Sequence, residues 1–202
     1  MSLFKQSPIV LDLPDAEVTY FPDFLSKKEA TQYFDNIYKD TKWQQDDIKV
    51  FGKTYPQPRL TALYASNKNS YSYSNITMYP EVFTFALSEI KTRIEKIVDV
   101  TFTSCLLNLY RDGKDSNGWH SDDEKELGKN PIIASVSLGE DRVFKMRNKT
   151  DKQLQTKLIL SSGSLLLMKG KTQHHWQHQI PKTSKKVAPR INLTYRIISN
   201  KI

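Results

Sequence analysis

The histidines of this 202-residue sequence fall in two places: His120 stands alone, and His174, His175 and His178 lie close together near the C-terminus. Asp122 follows His120 after one intervening residue, and residues i and i+2 of an extended chain point to the same side. Two imidazoles and one carboxylate can hold a divalent ion on one face and leave the other face open, which suits Fe(II) oxygenases. A His-X-Asp pair by itself is a weak signal, because it often arises by chance.

Two arginines near the C-terminus strengthen the metal-site interpretation. Arg190 and Arg196 belong to "PRINLTYR", and on a strand they share one face with residues 192 and 194. Guanidinium groups bind carboxylates through paired hydrogen bonds, so two arginines on one face can grip a small dicarboxylate. The alternative is ordinary surface charge on a strand, which the combination with the His-X-Asp pair disfavours.

The first elements that must position these residues are helices. Ser26, followed three residues later by Glu29, forms a capping-box pattern that predicts a helix over 26–41. Pro80 and a run of apolar residues at helical spacing predict a second helix over 80–98. The apolar side chains that we expect to face the core are Phe83, Leu87, Ile90, Ile94 and Ile97.

The remaining pattern is typical of strands. "IKVFGKTYPQPRLTALYA" alternates around Gly52 and predicts a hairpin. After residue 100 the chain becomes a series of short strand-like segments separated by turns, which indicates a sandwich or barrel. Two helices before a run of strands predict an α+β fold.

Composition limits the class of protein. Apolar residues make up 38% of the chain and aromatic residues 11%, which is typical of a globular protein. The single cysteine, Cys105, excludes an internal disulfide and is expected to be a small buried side chain. No stretch approaches ~18 apolar residues, so we predict no membrane span. The N-terminus also lacks the apolar run of a signal peptide.

The positive charge is concentrated in the second half of the chain. Residues 1–101 hold 12 lysines and arginines against 13 acidic residues, whereas residues 102–202 hold 18 against 9. A basic half suggests a polyanionic partner such as nucleic acid. It is equally consistent with a solvated surface, so charge alone does not decide.

From about residue 43 to 198, the sequence resembles the AlkB-type iron(II)- and 2-oxoglutarate-dependent nucleic-acid demethylases. The most specific segments are "NLYRDG", "HSDDE", "IASVSLG", "GSLLLM" and "HWQHQIP…APRINLTYR". "VFGK" at 50–53 and "PR" at 58–59 also resemble the branch of the family that acts on double-stranded DNA. Residues 1–42 carry no usable match.

The resemblance implies a single dioxygenase domain over residues 1–202 with a double-stranded β-helix, or jelly-roll, core. Residues 1–42 would form an N-terminal extension and the first helix. Residues 43–75 would form a nucleotide-recognition hairpin and lid, and residues 100–198 the core. We expect a monomer, located in the cytoplasm if the source is bacterial and in the nucleus if it is eukaryotic.

The resemblance also implies the cofactors and the reaction. Fe(II) would be bound by His120, Asp122 and His178, and His178 is preferred because it lies twelve residues before Arg190. The residues implied for 2-oxoglutarate are Asn108, Tyr110, Arg190, Asn192 and Arg196. With O2, the family hydroxylates an N-methyl group on a damaged base such as 1-methyladenine or 3-methylcytosine. Formaldehyde, succinate and carbon dioxide are released.

A base inside a duplex must leave the stack to reach iron. By the resemblance, Tyr73 would stack on one face of the extruded base and His120 would lie against the other. Glu124 would lie at the polar edge of the base, where a carboxylate favours a cationic methylated base. Arg59 and Tyr71 would line the same pocket.

The resemblance assigns Val50, Phe51 and Gly52 to a finger that enters the gap in the duplex, as apolar wedges commonly do. The alternative is that Phe51 packs on the core. A finger favours duplex DNA as the partner, because single-stranded DNA or RNA leaves no gap to fill. Two other functions remain: the same chemistry on single-stranded DNA or RNA, and a non-enzymatic nucleic-acid binder. Retention of both arginines disfavours the binder, because structural zinc needs no dicarboxylate grip.

Several residues have no assigned role. Strand alternation places His174 on the face of His178 and His175 on the other, and both are expected to be surface or supporting residues. Asp123 is expected to be a solvated or supporting carboxylate. Trp119 precedes the first ligand where polar residues are usual in the family, and it receives no prediction. Three loop lysines are candidates for phosphate contacts or for a solvated loop: Lys182, Lys185 and Lys186.

Overall fold

The computed structural model describes residues 6–50, 52–67, 71–73 and 76–198. Its helices are α1 Lys27–Asp40, α2 Phe85–Val98 and α3 Thr172–His175, with a 3-10 turn at Lys125–Leu127. Its strands are β1 Ile9–Leu11, β2 Glu17–Phe21, β3 Asp47–Val50, β4 Lys53–Pro56, β5 Leu60–Ala65, β6 Tyr71–Tyr73, β7 Ile76–Met78, β8 Glu81–Val82, β9 Ser104–Tyr110, β10 Asn117–His120, β11 Ile133–Gly139, β12 Arg142–Asn148, β13 Gln155–Leu160, β14 Leu165–Lys169, β15 Trp176–Ile180 and β16 Arg190–Arg196. Among the described residues, no helix is long and apolar enough to cross a membrane.

Two sheets form the body of the protein. The major sheet has the strand order β1-β2-β14-β11-β16-β9-β5-β8, and the minor sheet has the order β10-β15-β12-β13. Buried side chains from both sheets, including Tyr110 and Ile133 of the major sheet and Phe144 and Trp176 of the minor sheet, form one apolar cluster. The sheets therefore pack face to face, and the predicted α+β fold with a jelly-roll core is confirmed.

The central strands of the major sheet are buried on both faces. All seven residues of β9 and all seven of β16 are buried, because helices cover one face and the minor sheet covers the other. In the antiparallel register between them, Arg190 lies opposite Tyr110 and Asn192 lies opposite Asn108. Every second side chain on these strands therefore points into the space between the two sheets.

Helix α1 confirms the capping box. The Ser26 hydroxyl accepts from the Glu29 amide at 3.3 Å, and the Glu29 carboxylate accepts from the Ser26 amide at 2.9 Å. The helix buries Ala30, Tyr33 and Ile37 in the cluster that covers the outer face of the major sheet.

The predicted start of the second helix was wrong. Residues 81 and 82 pair with β5 as a parallel strand, and α2 begins only after Thr84, whose hydroxyl accepts from the Leu87 amide at 3.3 Å. Sheet pairing and this N-cap outweigh the helix-favouring position of Pro80. The predicted core face is confirmed: three of its residues are buried, and Phe83 and Ile97 pack against the same cluster.

The predicted hairpin around Gly52 is also confirmed. Val50 pairs with Lys53 across β3 and β4, and Gly52 has φ +77°, a left-handed conformation that glycine adopts without a steric cost. Phe51 lies outside the described residues. The 43–75 segment is not only a hairpin and lid, because β5 pairs with β9 inside the major sheet. A single domain over the whole chain stays a prediction.

Candidate metal and co-substrate site

The predicted metal ligands meet at one end of the space between the sheets. Strand β10 pairs with β15 in a register that sets His120 directly opposite His178, and their ring centroids are 4.2 Å apart. Asp122 lies two residues beyond His120, with one oxygen 3.7 Å from Nε2 of His178. One candidate ligand atom from each residue lies within 4.8 Å of the other two. This donor set fits a divalent ion held on one face.

Two side chains hold Asp122 in place, one from strand β16 and one from helix α3. Arg196 donates from Nη2 to a carboxylate oxygen, and the Gln173 side-chain carbonyl accepts from the Asp122 amide at 2.9 Å. Burial raises the pKa of Asp122, but the positive charge of Arg196 and the nearby imidazoles outweigh it and lower the pKa to about 2. The carboxylate is therefore ionised, as a metal ligand must be.

The two histidines present their ring nitrogens to the site in different ways. His120 Nδ1 donates to the Gly118 carbonyl at 2.8 Å, so Nε2 carries the electron pair and lies 3.2 Å from the Asn117 side-chain nitrogen. Burial and then the neighbouring His120 lower the pKa of His178 to about 3. His178 is therefore held as the uncharged imidazole that binds a metal.

The structure decides between the three C-terminal histidines. His174 and His175 lie in α3, a single helical turn, and only His178 lies on β15. The expectation that His174 shares a face with His178 was wrong, because the chain is helical and not extended at residues 172–175. His174 Nε2 is 2.8 Å from the Asn130 side-chain oxygen, away from the ligand set.

A cavity of about 430 Å³ opens beside the ligands and runs between β9, β16 and the minor sheet. All five residues predicted for 2-oxoglutarate line it: Asn108, Tyr110, Arg190, Asn192 and Arg196. Apolar side chains from both sheets also line it: Ile133, Phe144, Leu160, Met168 and Ile180. This combination of charged ends and apolar walls suits a short dicarboxylate.

Among the described residues that line the cavity, Arg190 has two buried nitrogens without a partner. Its side chain is 1% exposed, and Nη2 donates to the Ser137 hydroxyl at 2.9 Å and to the Asn192 side-chain oxygen at 3.2 Å. Nε and Nη1 are buried and have no partner among the described residues. Burial lowers the pKa of Arg190 to about 10. A bound carboxylate would accept hydrogen bonds from both nitrogens and would neutralise the positive charge of the guanidinium.

The described residues predicted for substrate lie in two places. Arg59 and Glu124 line the cavity, and Arg59 Nε donates to the Asn108 side-chain oxygen at 2.8 Å. Oε2 of Glu124 is buried without a partner among the described residues. Gly52 is exposed at the hairpin turn and does not line the cavity. Three predicted contacts concern side chains outside the described part of the chain: Val50, Tyr71 and Tyr73.

Sequence reasoning missed several supporting residues. Thr194 lines the cavity and accepts from the Asn192 amide nitrogen at 2.6 Å, and its alternation with residues 190, 192 and 196 was the signal that could have found it. Gln173 had no sequence signal, because its contact with Asp122 depends on the turn at α3. Arg142 lies 5.6 Å from the Tyr110 ring and donates to three backbone carbonyls: Asp112, Asp115 and Pro181.

Comparison with protein families supports this geometry. A family model described as the 2OG-Fe(II) oxygenase superfamily matches residues 17–196. The mouse protein named alpha-ketoglutarate-dependent dioxygenase alkB homolog 3 is 43% identical over 192 residues, covering 91% of this chain and 66% of its own length. The chain therefore spans just under two thirds of that relative.

Two further comparisons agree. The human protein named DNA oxidative demethylase ALKBH2 is 36% identical over 182 residues, covering 85% of this chain and 70% of its own length. A solved structure of OsALKBH1 superposes with a TM-score of 0.70, at 17% identity, over 95% of this chain and 100% of that chain. The structural likeness concerns the fold. Identity is higher to alkB homolog 3 than to ALKBH2, so the resemblance to the duplex-DNA branch stays a prediction.

Proposed function

Because this chain belongs to the AlkB-type iron(II)- and 2-oxoglutarate-dependent oxygenases, we propose that it is an oxidative demethylase of N-alkylated bases in DNA. One observation carries the proposal. The His-Asp-His set, the two arginines of β16 and Glu124, whose Oε2 is buried without a partner among the described residues, all line one cavity. These are the groups required to hold a metal ion, a dicarboxylate and a cationic base together.

His120, Asp122 and His178 would hold Fe(II). Arg196 keeps the Asp122 carboxylate ionised and oriented, and Gln173 anchors the backbone at that residue. When bound, Fe(II), O2 and 2-oxoglutarate supply the oxidation that hydroxylates the N-methyl group, after which formaldehyde leaves and succinate and carbon dioxide remain. The part of the protein is to hold these reactants in contact and to keep bulk water out.

Arg190 would take one carboxylate of 2-oxoglutarate through its unpartnered Nε and Nη1 groups. Asn192 is fixed for this role, because its side-chain oxygen accepts from Ser135 at 2.7 Å and its nitrogen donates to Thr194. Tyr110, whose ring lies 5.2 Å from the Arg190 guanidinium, closes the same end of the cavity. Asn108 is held by Arg59, so the two proposed binding regions are joined by a direct hydrogen bond.

Glu124 would recognise the damaged base. A buried carboxylate oxygen without a partner is costly, and a cationic base that also presents N–H groups removes that cost. Unmodified adenine and cytosine are neutral and gain less. The same carboxylate therefore favours 1-methyladenine and 3-methylcytosine over the normal bases. Tyr73 and His120 remain the proposed stacking partners of the base, with Tyr71 beside them.

We further propose duplex DNA as the preferred substrate, with residues 50–52 as the finger. The support is that Val50 pairs with Lys53 across β3 and β4, with Gly52 in the turn, and that Phe51 directly precedes Gly52 in the sequence. Single-stranded DNA or RNA is the competing substrate, and a non-enzymatic binder is the third possibility.

The test of strand state compares Phe51→Ala with a matched control, Tyr55→Ala, which removes an aromatic ring that is 47% exposed on the same hairpin. Refilling the gap offsets an unstacking cost of a few kcal/mol, so Phe51→Ala should lower turnover of methylated duplex at least about tenfold. The same lesion in a single strand should be affected little, and Tyr55→Ala should affect neither.

Formaldehyde release at saturating 2-oxoglutarate measures both rates. Equal losses on the two substrates would show that Phe51 packs on the protein. Parent activity confined to single strands or RNA would refute duplex preference, and no succinate formation on any methylated oligonucleotide would leave only the binder.

A further inference from the structure

The outer face of the minor sheet carries three cations and an aromatic ring. Strand β12 alternates, with Phe144 and Met146 buried toward the cavity and Lys145 and Arg147 directed to the opposite side. Lys157 of β13 and Trp119 of β10 belong to the same outward-facing set because of their register and burial. We call these four residues the outer basic face: Trp119, Lys145, Arg147 and Lys157.

This face has no internal neutralisation. Lys145 and Lys157 lie directly opposite each other on adjacent antiparallel strands, an arrangement that is destabilising for like charges. None of the four strands of the minor sheet contains an aspartate or glutamate. Within the part of the chain that the structure describes, no carboxylate lies within 4.0 Å of either lysine or of Arg147. A sheet face that carries neighbouring cations and no acidic side chains is suited to bind an anionic partner.

Arg147 is held in position for such a partner. Its guanidinium lies 4.1 Å from the centre of the Trp119 ring. Nε and Nη2 both donate to the Gln177 side-chain oxygen, at 3.2 Å and 3.1 Å. Nη1 has no partner among the described residues, so an ordered cation presents a free edge to the solvent. An arginine fixed in this way loses little conformational entropy when it binds a phosphate.

The outer basic face is continuous with the entrance of the cavity. Trp119 is adjacent in sequence to His120, and β10 is the edge strand of the minor sheet. His120 and Gly118 line the cavity, while Trp119 points to the other side of the same strand. A polymer that leaves the cavity across β10 therefore meets Trp119 and Arg147 first and the lysine pair next.

We propose that the outer basic face binds the sugar-phosphate backbone of the nucleic acid that flanks the base in the cavity. This inference rests on the proposed function and adds a binding track outside the active site. Neighbouring side chains on paired strands are about 5 Å apart, and alternate residues along a strand are about 7 Å apart. Three cations at these spacings match the phosphates of about two to three consecutive nucleotides, which rise about 3.4 Å each.

The test replaces the lysine pair and compares it with a control pair of equal charge. Lys145→Gln/Lys157→Gln removes two cations from the outer basic face. Lys28→Gln/Lys39→Gln removes two exposed cations from α1, which packs on the far side of the major sheet. Affinity is measured by fluorescence anisotropy with an unmethylated single-stranded oligonucleotide across a salt series.

Loss of two phosphate contacts should reduce the slope of log affinity against log salt by about 1.4 and weaken binding about tenfold at low salt. The α1 pair should leave both quantities near those of the parent. Arg147→Gln should lower affinity further, and Trp119→Phe, which retains a ring under the guanidinium, should lower it less than Trp119→Ala.

Three results would overturn the proposal: an unchanged slope in the lysine-pair variant, equal losses in both pairs, and oligonucleotide affinity retained while binding to phosphatidylserine vesicles is lost. The last would assign the face to a membrane surface. Turnover of a methylated trinucleotide, too short to reach the face, should be the same in parent and variant. A parent that binds oligonucleotides through this face but forms no succinate would refute the proposed function and leave the binding track intact.

Discussion

Replacing Arg190 with methionine should separate its role in binding from any role in folding. In the parent, two buried nitrogens of Arg190, Nε and Nη1, lack partners among the described residues, and each such nitrogen costs about 1–3 kcal/mol. Methionine removes that cost but also removes the two Nη2 hydrogen bonds, worth about 1.5–3 kcal/mol each for a charged donor. The two sums nearly cancel. We therefore expect the free energy of unfolding without ligand to change by less than about 2 kcal/mol.

Binding should respond very differently. Losing two charge-assisted hydrogen bonds to a carboxylate costs at least about 3 kcal/mol, which weakens 2-oxoglutarate more than about 100-fold. In the parent, 2-oxoglutarate at 100 times its dissociation constant adds about 2.7 kcal/mol of stability, which is about 5–11 °C for a chain of this size. At the same concentration Arg190→Met should gain less than about 0.5 kcal/mol.

Thermal and urea unfolding with and without 2-oxoglutarate, in the presence of Mn(II), measure both quantities. Arg142→Met is the control, because this buried arginine donates to three carbonyls and does not line the cavity. It should lower stability by several kcal/mol yet keep a stabilising response to 2-oxoglutarate. An equal ligand-induced shift in Arg190→Met and parent would place the co-substrate elsewhere. A loss above about 3 kcal/mol without ligand would make Arg190 a structural residue.

The remaining predictions concern the metal ligands and the first helix. Asp122→Ala should abolish succinate formation under air with added Fe(II) and retain the parent far-ultraviolet circular dichroism; full activity would refute the ligand assignment. Gln173→Leu should leave the fold intact but weaken Mn(II) binding, measured by calorimetry, about 10–100-fold, because the Asp122 amide loses its acceptor. Ser26→Ala should lower the free energy of unfolding by about 1 kcal/mol at neutral pH. Hydrogen bonds from Ser26 lower the pKa of Glu29 to about 2, so the part of the deficit that comes from the hydroxyl bond to the carboxylate should be present above pH 4.5 and be lost as the pH falls toward 2. The part from the bond between the Glu29 amide and the hydroxyl should persist, and a deficit that does not change with pH would contradict the assignment.

The local sequence pattern was sufficient to predict those features whose contacts join residues only a few positions apart. The capping box at Ser26 and the apolar face of α2 involve neighbours three or four residues apart, so their positions in the sequence determine their contacts. Alternation along β16 put Arg190 and Arg196 on one face for the same reason. The start of α2 could not be obtained this way, because residues 81 and 82 pair with a distant strand, β5, and the helix begins only after Thr84.

The sequence by itself determined which side chains can bind a metal and a dicarboxylate, and that the chain is an α+β protein with short strands. Only the tertiary structure decided that His178 and not His174 lies opposite His120, because that depends on a helical turn and on the pairing of β10 with β15. The contact of Gln173 with Asp122 and the unmet N–H groups of Arg190 are likewise products of packing. Both depend on residues that are dozens of positions apart in the sequence, and local sequence patterns do not predict such contacts.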